Sequence, residues 1–120
     1  MSVSFTVEGE PVGQQRARMG RSGKRGERAH WYTPDKTLAY KQRVAQAFLR
    51  ANGFRRLDPP AIMVRVRCFF GGKSHPDPDN VQKLVLDALA KLAYPNDRHV
   101  ASSNTHEYDK QRPRIEVEVT

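Results

Sequence analysis

The chain is short of cysteine, of long apolar runs and of acidic residues, and each shortage excludes something. Cys68 is the one cysteine in 120 residues, so no intrachain disulfide framework exists. It sits among Val66, Phe69 and Phe70 and reads as a small buried hydrophobe, not as a nucleophile. No apolar stretch approaches the roughly 20 residues of a membrane-spanning helix. No membrane partner is therefore expected. The opening residues, Met1 to Val7, lack a basic n-region and a long apolar core, so they read as a strand and not as a secretory signal. A cytoplasmic protein is expected. Acidic residues number 13 against 21 Lys+Arg, a formal net charge of +8, which suits a polyanionic partner such as nucleic acid.

What is present is unevenly placed. Residues 14–30 carry Arg16, Arg18, Arg21, Lys24, Arg25 and Arg28 against Glu27 alone, a net of +5. Residues 77–97 run the other way, with Asp77, Asp79, Asp87 and Asp97 against Lys83 and Lys91. A basic protein with one acidic knot is the pattern to explain.

At 120 residues and 38% hydrophobic, the chain fits one domain with one core. Val3, Phe5 and Val7 alternate with Ser4, Thr6 and Glu8, which predicts a half-buried strand. Residues 9–32 are rich in Gly, Gln and Arg and lack periodicity, so they read as a long basic loop that serves DNA binding. Thr33-Pro34 resembles an N-cap followed by proline at the first helical position. Leu38, Val44, Ala45, Phe48 and Leu49 give that helix its stripe, and Asn52-Gly53 ends it. From 61 to 70, Ile62, Val64, Val66, Cys68 and Phe70 alternate with Arg65 and Arg67, a clear strand. The best helix runs over 79–93, with Val81, Leu84, Val85, Ala88, Leu89 and Leu92 on one face and Leu86 off it. A strand at about 99–107 and a final strand bearing Ile115, Val117 and Val119 complete the order β-α-β-α-β-β. This predicts an α+β fold of two layers, a four-stranded mixed sheet with two helices on one face.

The acidic knot adjoins the best helix. With Val81 at 0° and 100° per residue, Asp79, Lys83, Asp87 and Asn80 fall at about 160°, 200°, 240° and 260°, opposite the apolar stripe. Asp77 lies two residues upstream, set apart by Pro78, and Asp97 follows the helix in a turn. Taken singly, each has an ordinary explanation: Asp79 as an N-cap, Asp77 and Asp97 as turn formers, Lys83–Asp87 as a surface pair. Taken together, gathered carboxylates repel unless a cation neutralises them. Carboxylate oxygens suit Mg²⁺, which serves phosphodiester hydrolysis. A lysine one turn away can stabilise charge on the phosphate, and the basic loop can supply affinity for the DNA backbone.

These residues are similar to those of the RusA family of Holliday-junction resolvases, common in prophages. The motif Asp77-Pro78-Asp79-Asn80, then Lys83, Asp87-Ala88-Leu89 and Asn96-Asp97-Arg98-His99-Val100 matches the family signature, as does Tyr32-Thr33-Pro34-x-x-Thr37 in the first half. The resemblance implies catalytic, metal-binding roles for Asp77, Asp79 and Asp97, a catalytic lysine in Lys83, and supporting roles for Asn80 and Asp87, the latter by holding Lys83. Where the family often carries an Asp-Asp pair, this chain has Asn96-Asp97, and the spacing to Val100 assigns the role to Asp97. It further implies Mg²⁺ with Mn²⁺ as a substitute, a homodimer, a four-way junction as substrate, and 5′-phosphate and 3′-hydroxyl products. No protein partner besides a second copy is inferred. A non-catalytic DNA-binding protein of the same fold, and a nuclease for other branched or single-stranded DNA, are the competing readings. Trp31 and Tyr32 read as packing at the loop–helix junction. His30, His75, His99 and His106 lack zinc-site spacing, though His75 and His99 flank the knot. Arg65 and Arg67 are read either as an extension of the DNA surface or as solubilising charge.

Overall fold

A computed structural model of the chain describes residues 2–15, 18–20, 30–32, 35–53, 57, 62–90, 92–94 and 100–120, with the backbone alone at 18–20 and 30–32. The elements are β1 (Val3–Glu8), β2 (Arg18–Gly20), β3 (His30–Tyr32), α1 (Asp35–Asn52), β4 (Ile62–Phe70), α2 (Pro78–Leu89), β5 (Val100–Tyr108) and β6 (Arg114–Val119). Four strands form one mixed sheet in the order β1-β6-β4-β5. β6 pairs antiparallel with both β1 and β4, and β4 pairs parallel with β5. Parallel neighbours need a crossover, and α2 supplies it.

Alternation decides which face is covered. Val3, Phe5 and Val7, Ile62, Val64, Val66, Cys68 and Phe70, and Ile115, Val117 and Val119 are all buried, facing α1 and α2. The helices contribute Tyr40, Val44 and Phe48, and Val81, Leu84, Val85 and Leu89. The α+β, two-layer expectation therefore holds. The opposite face carries a ladder of charge: Arg65 to Glu118 at 3.0 Å, Arg67 to Glu116 at 3.1 Å, and Arg114 to Glu116 at 2.8 Å and to Asp109 at 2.9 Å. Phe69 points to this face yet is 5% exposed, because the Arg114 guanidinium lies 3.8 Å from its ring centroid.

Several expectations need correction. The segment read as a loop contains a hairpin, since Arg18, Met19 and Gly20 pair with Tyr32, Trp31 and His30. Three-residue strands are too short to show a period, and backbone pairing requires none. The stripe of α1 runs through Thr37, Tyr40, Val44 and Phe48, and Leu38 is 44% exposed. The helix ends as expected at Asn52, with Gly53 at φ +69° donating its N–H to the Leu49 carbonyl at 2.6 Å. Its expected cap, Thr33-Pro34, lies outside the described residues.

The second helix stops four residues early. Ala90 turns extended at ψ 133°, although its N–H still reaches the Leu86 carbonyl. Tyr94 then fills the core at 2% exposed and donates its hydroxyl to the Leu86 carbonyl at 3.2 Å. Pro95 follows Tyr94, and a residue before proline avoids the helical region. Leu86 packs against the core.

Cys68 is fully buried, and burial pushes its thiol up to about 12. In the folded protein it is expected to be inert to a thiol-specific reagent at pH 8. In denaturant it should react fully, as read by the absorbance of the released chromophore. Rapid labelling of the native protein would contradict this packing.

Candidate active site

Asp77 opens α2. Its backbone is extended at φ −61° and ψ 130°, and its side-chain Oδ1 accepts the Asp79 N–H at 3.2 Å. Its carbonyl accepts from the Asn80 and Val81 N–H groups at 2.9 and 3.2 Å. Pro78 occupies the first helical position, where a missing N–H costs no intrahelical bond. Asp77 is thus the N-cap itself, not a residue set apart from the helix, and Asp79 sits inside the first turn. Both carboxylates are exposed and share the positive end of the helix dipole, which partly offsets their mutual repulsion.

The sheet reaches up to this helix end. Asn104 of β5 donates from Nδ2 to Asp79 Oδ1 at 2.8 Å and also to Gln82 Oε1. Gln82 Nε2 in turn donates to Ser102 Oγ at 2.5 Å. The chain Ser102–Gln82–Asn104–Asp79 ties α2 to β5 and fixes one oxygen of Asp79. None of the three polar partners was singled out from the sequence. The available signal was that Ser102 and Asn104 share an alternating face with Val100, on a strand that a helix covers.

The segment after β1 closes over the same helix start. Gln14 N–H donates to the Asn80 carbonyl at 2.8 Å. A Cβ at Gly13 would meet Pro76 Cβ at 3.0 Å and Asn80 Cβ at 3.2 Å, so glycine is what allows this approach. Asn80 is half-buried beneath it.

Lys83 follows Asp79 by one turn, on the same side of α2 and exposed. Asp87 does not hold Lys83: its carboxylate takes the ammonium of Lys41 from α1. Lys83 and Asp87 line a cleft of about 330 Å³ with Leu86, Ala90, Tyr94 and Val100. The cleft touches the start of β5 at Val100, three positions after Asp97 in the sequence. Asp97 itself lies outside the described residues, and no group of three or more His, Cys, Asp or Glu suited to a metal is formed among the described residues.

Residues 8–120 match the family described as Endodeoxyribonuclease RusA. The chain belongs to that family. It is also 30% identical over 136 residues to the uncharacterized protein YqaN of Bacillus subtilis (strain 168), across 96% of this chain and 93% of that protein. Membership of the RusA family makes the acidic helix start a candidate nuclease centre, and the match takes in Asp77, Asp79, Lys83 and Asp97 alike.

For a RusA-family nuclease the distribution of free cations matters. Arg65 and Arg67 are each paired with a glutamate on β6, which favours the reading of solubilising charge over that of a DNA surface. Of the basic loop, Arg16, Arg21, Lys24, Arg25 and Arg28 lie outside the described residues. Arg18 is in β2, and Trp31 and Tyr32 are in β3. No helix is long and apolar enough to cross a membrane among the described residues.

The Lys41–Asp87 pair is partly exposed, so a double-mutant cycle with Lys41→Met and Asp87→Asn should give a coupling of about 0.2–1 kcal/mol in denaturant unfolding. The same cycle on Lys83 and Asp87 should read about zero. The reverse ranking would return Asp87 to Lys83.

Proposed function

We propose that this chain is a Mg²⁺-dependent endonuclease that resolves four-way DNA junctions by paired, symmetrical nicks, working in the cytoplasm as a homodimer. The observation that carries the reading is the juxtaposition of Asp77, Asp79 and Lys83 along one edge of α2, with Asp79 oriented from β5.

The donors fit the metal. Asp77 and Asp79 offer hard carboxylate oxygens, and Mg²⁺ usually takes one or two carboxylates, completing its shell with water and phosphate. Asp97 would be the third such group. When bound, the ion polarises the phosphoryl oxygen and steadies the charge of the displacement. The chain's own groups do the rest. Asn104 engages one oxygen of Asp79 and leaves the other for the ligand. The Lys83 ammonium stands where it can offset charge that builds on the phosphate. The cations of residues 16–28 hold the DNA backbone, and their contacts carry register without reading sequence. Two symmetrical cuts in strands of like polarity call for a twofold pair of active sites, which a C₂ dimer provides. Products carry 5′-phosphate and 3′-hydroxyl ends, and Mn²⁺ substitutes for Mg²⁺.

The test is cleavage of an end-labelled synthetic four-way junction beside a matched linear duplex, in Mg²⁺ or in EDTA. Wild type should nick the junction in pairs, only with metal. Asp77→Asn, Asp79→Asn and Asp97→Asn should abolish cleavage while still binding the junction. Lys83→Ala should slow it by about 10²–10³-fold, and Asn104→Ala by about 10–100-fold. Tight binding without cutting across Mg²⁺ and Mn²⁺ would make the chain a DNA-binding protein instead. Equal cutting of the duplex would keep the chemistry and remove the junction preference.

A further inference from the structure

β5 is longer than the helix that covers it. The alternation that turns Ser102 and Asn104 toward α2 continues to His106 and Tyr108, about 7 and 14 Å beyond Asn104 along the strand. Both are exposed there, Tyr108 at 58%, because α2 begins at Pro78 above Asn104 and does not extend over them.

The two rings are not isolated. Phe70, paired in register with Tyr108, is fully buried, and the His75 ring lies flat on it with centroids 3.8 Å apart and planes 7° apart. His75 Nδ1 lies 2.7 Å from the Pro76 carbonyl oxygen, which can only accept, so this nitrogen carries the proton. In the neutral ring Nε2 is then left to accept from the Tyr108 hydroxyl at 3.1 Å. His106 stands 6.3 Å from His75 and meets Tyr108 edge-on at 6.4 Å and 89°. Four aromatic rings therefore climb from core to solvent, each braced by the one below. Lys73, two residues before His75, and Lys110, two residues after Tyr108, are exposed and take no carboxylate among the described residues. The nearby Asp109 carboxylate is already held by Arg114.

We propose that the Tyr108 ring is a stacking platform for one unpaired nucleobase, flanked edge-on by His106, beside the acidic helix start. The inference rests on the reading of the chain as a DNA nuclease and adds how branched DNA is told from duplex. Every base has a π-face to stack, and neighbouring cations hold its backbone. Bases inside an uninterrupted duplex are already stacked and cannot use the platform. A base freed at a branch point can, and the strand spacing then brings its backbone toward Asp79.

The experiment is done in EDTA, so that no cleavage is needed. A four-way junction carrying 5-iodouracil at the branch point is irradiated with the protein, and the crosslinked peptide is identified by mass spectrometry. Affinities for that junction and for a matched duplex are measured in parallel. The expected crosslink falls on Tyr108 or His106. Tyr108→Ala should weaken junction binding by about 5- to 150-fold, the range for losing one base stack, with duplex binding changed less than about twofold. Tyr108→Phe keeps the ring and should bind as wild type, with unchanged melting temperatures confirming that both variants fold. Three results would each overturn the platform: a crosslink mapping elsewhere, equal losses on junction and duplex, or a changed oligomeric state in Tyr108→Ala. A protein that crosslinks here but never cuts in Mg²⁺ sinks the nuclease reading and leaves the platform standing. One that cuts but does not crosslink does the opposite.

Discussion

The arrangement depends on the hydrogen bond from the Asp79 N–H to the Asp77 side chain. That bond starts α2 at Pro78, and the starting point fixes what lies beneath and beside it. Val81, Leu84 and Val85 are thereby turned into the core, while Asp79 and Lys83 are turned out on one edge. A helix N-terminus tolerates two neighbouring carboxylates better than most surface positions because its unpaired N–H groups and dipole favour negative charge. The same residue thus serves folding as a cap and presents a free oxygen to solvent. A cap and a metal ligand are compatible demands on one carboxylate, since it has two oxygens and several lone pairs.

The helix-facing side of β5 changes character along its length. Val100 packs against the apolar core, Ser102 and Asn104 meet the polar edge of α2, and His106 and Tyr108 continue past the helix into solvent. The interior strands β4 and β6 are apolar along their whole helix-facing side. β5 lies at the sheet edge and pairs with β4 alone, so its far end is free to carry chemistry. The parallel register of β5 against β4 is what sets Tyr108 opposite Phe70, and so joins the exposed rings to the core.

The outer face of the sheet pairs its own charges. Arg65, Arg67 and Arg114 are matched by Glu116, Glu118 and Asp109, and Arg112 grips the Glu8 carboxylate at 2.5–3.2 Å. Hydrogen bonding from Arg114 holds the Asp109 carboxyl below its ordinary value, and Arg112 does the same for Glu8. The stability these carboxylates add is present at neutral pH and is lost as pH falls through their lowered folded values. With these cations engaged, the excess positive charge is left largely to residues 14–30. A phosphate backbone would meet it there and not on this outer face.

Local sequence determined a good deal. Period-two alternation in β1, β4 and β6, the stripe of α2, the Gly53 stop and the cluster of Asp77, Asp79 and Lys83 are all readable because each depends on neighbours within a few residues. Only the tertiary structure decided which aspartate caps α2, that Asp87 answers Lys41 from 46 positions away, and that Asn104 and Ser102 are bound to α2 through Gln82. It also decided that residues 18–20 and 30–32 pair, and that His75, His106 and Tyr108 form one ladder. The physical reason is the same in each case. Periodicity records which way a side chain faces, whereas a hydrogen bond or a ring stack between distant residues depends on register, and register is set by how strands and helices dock.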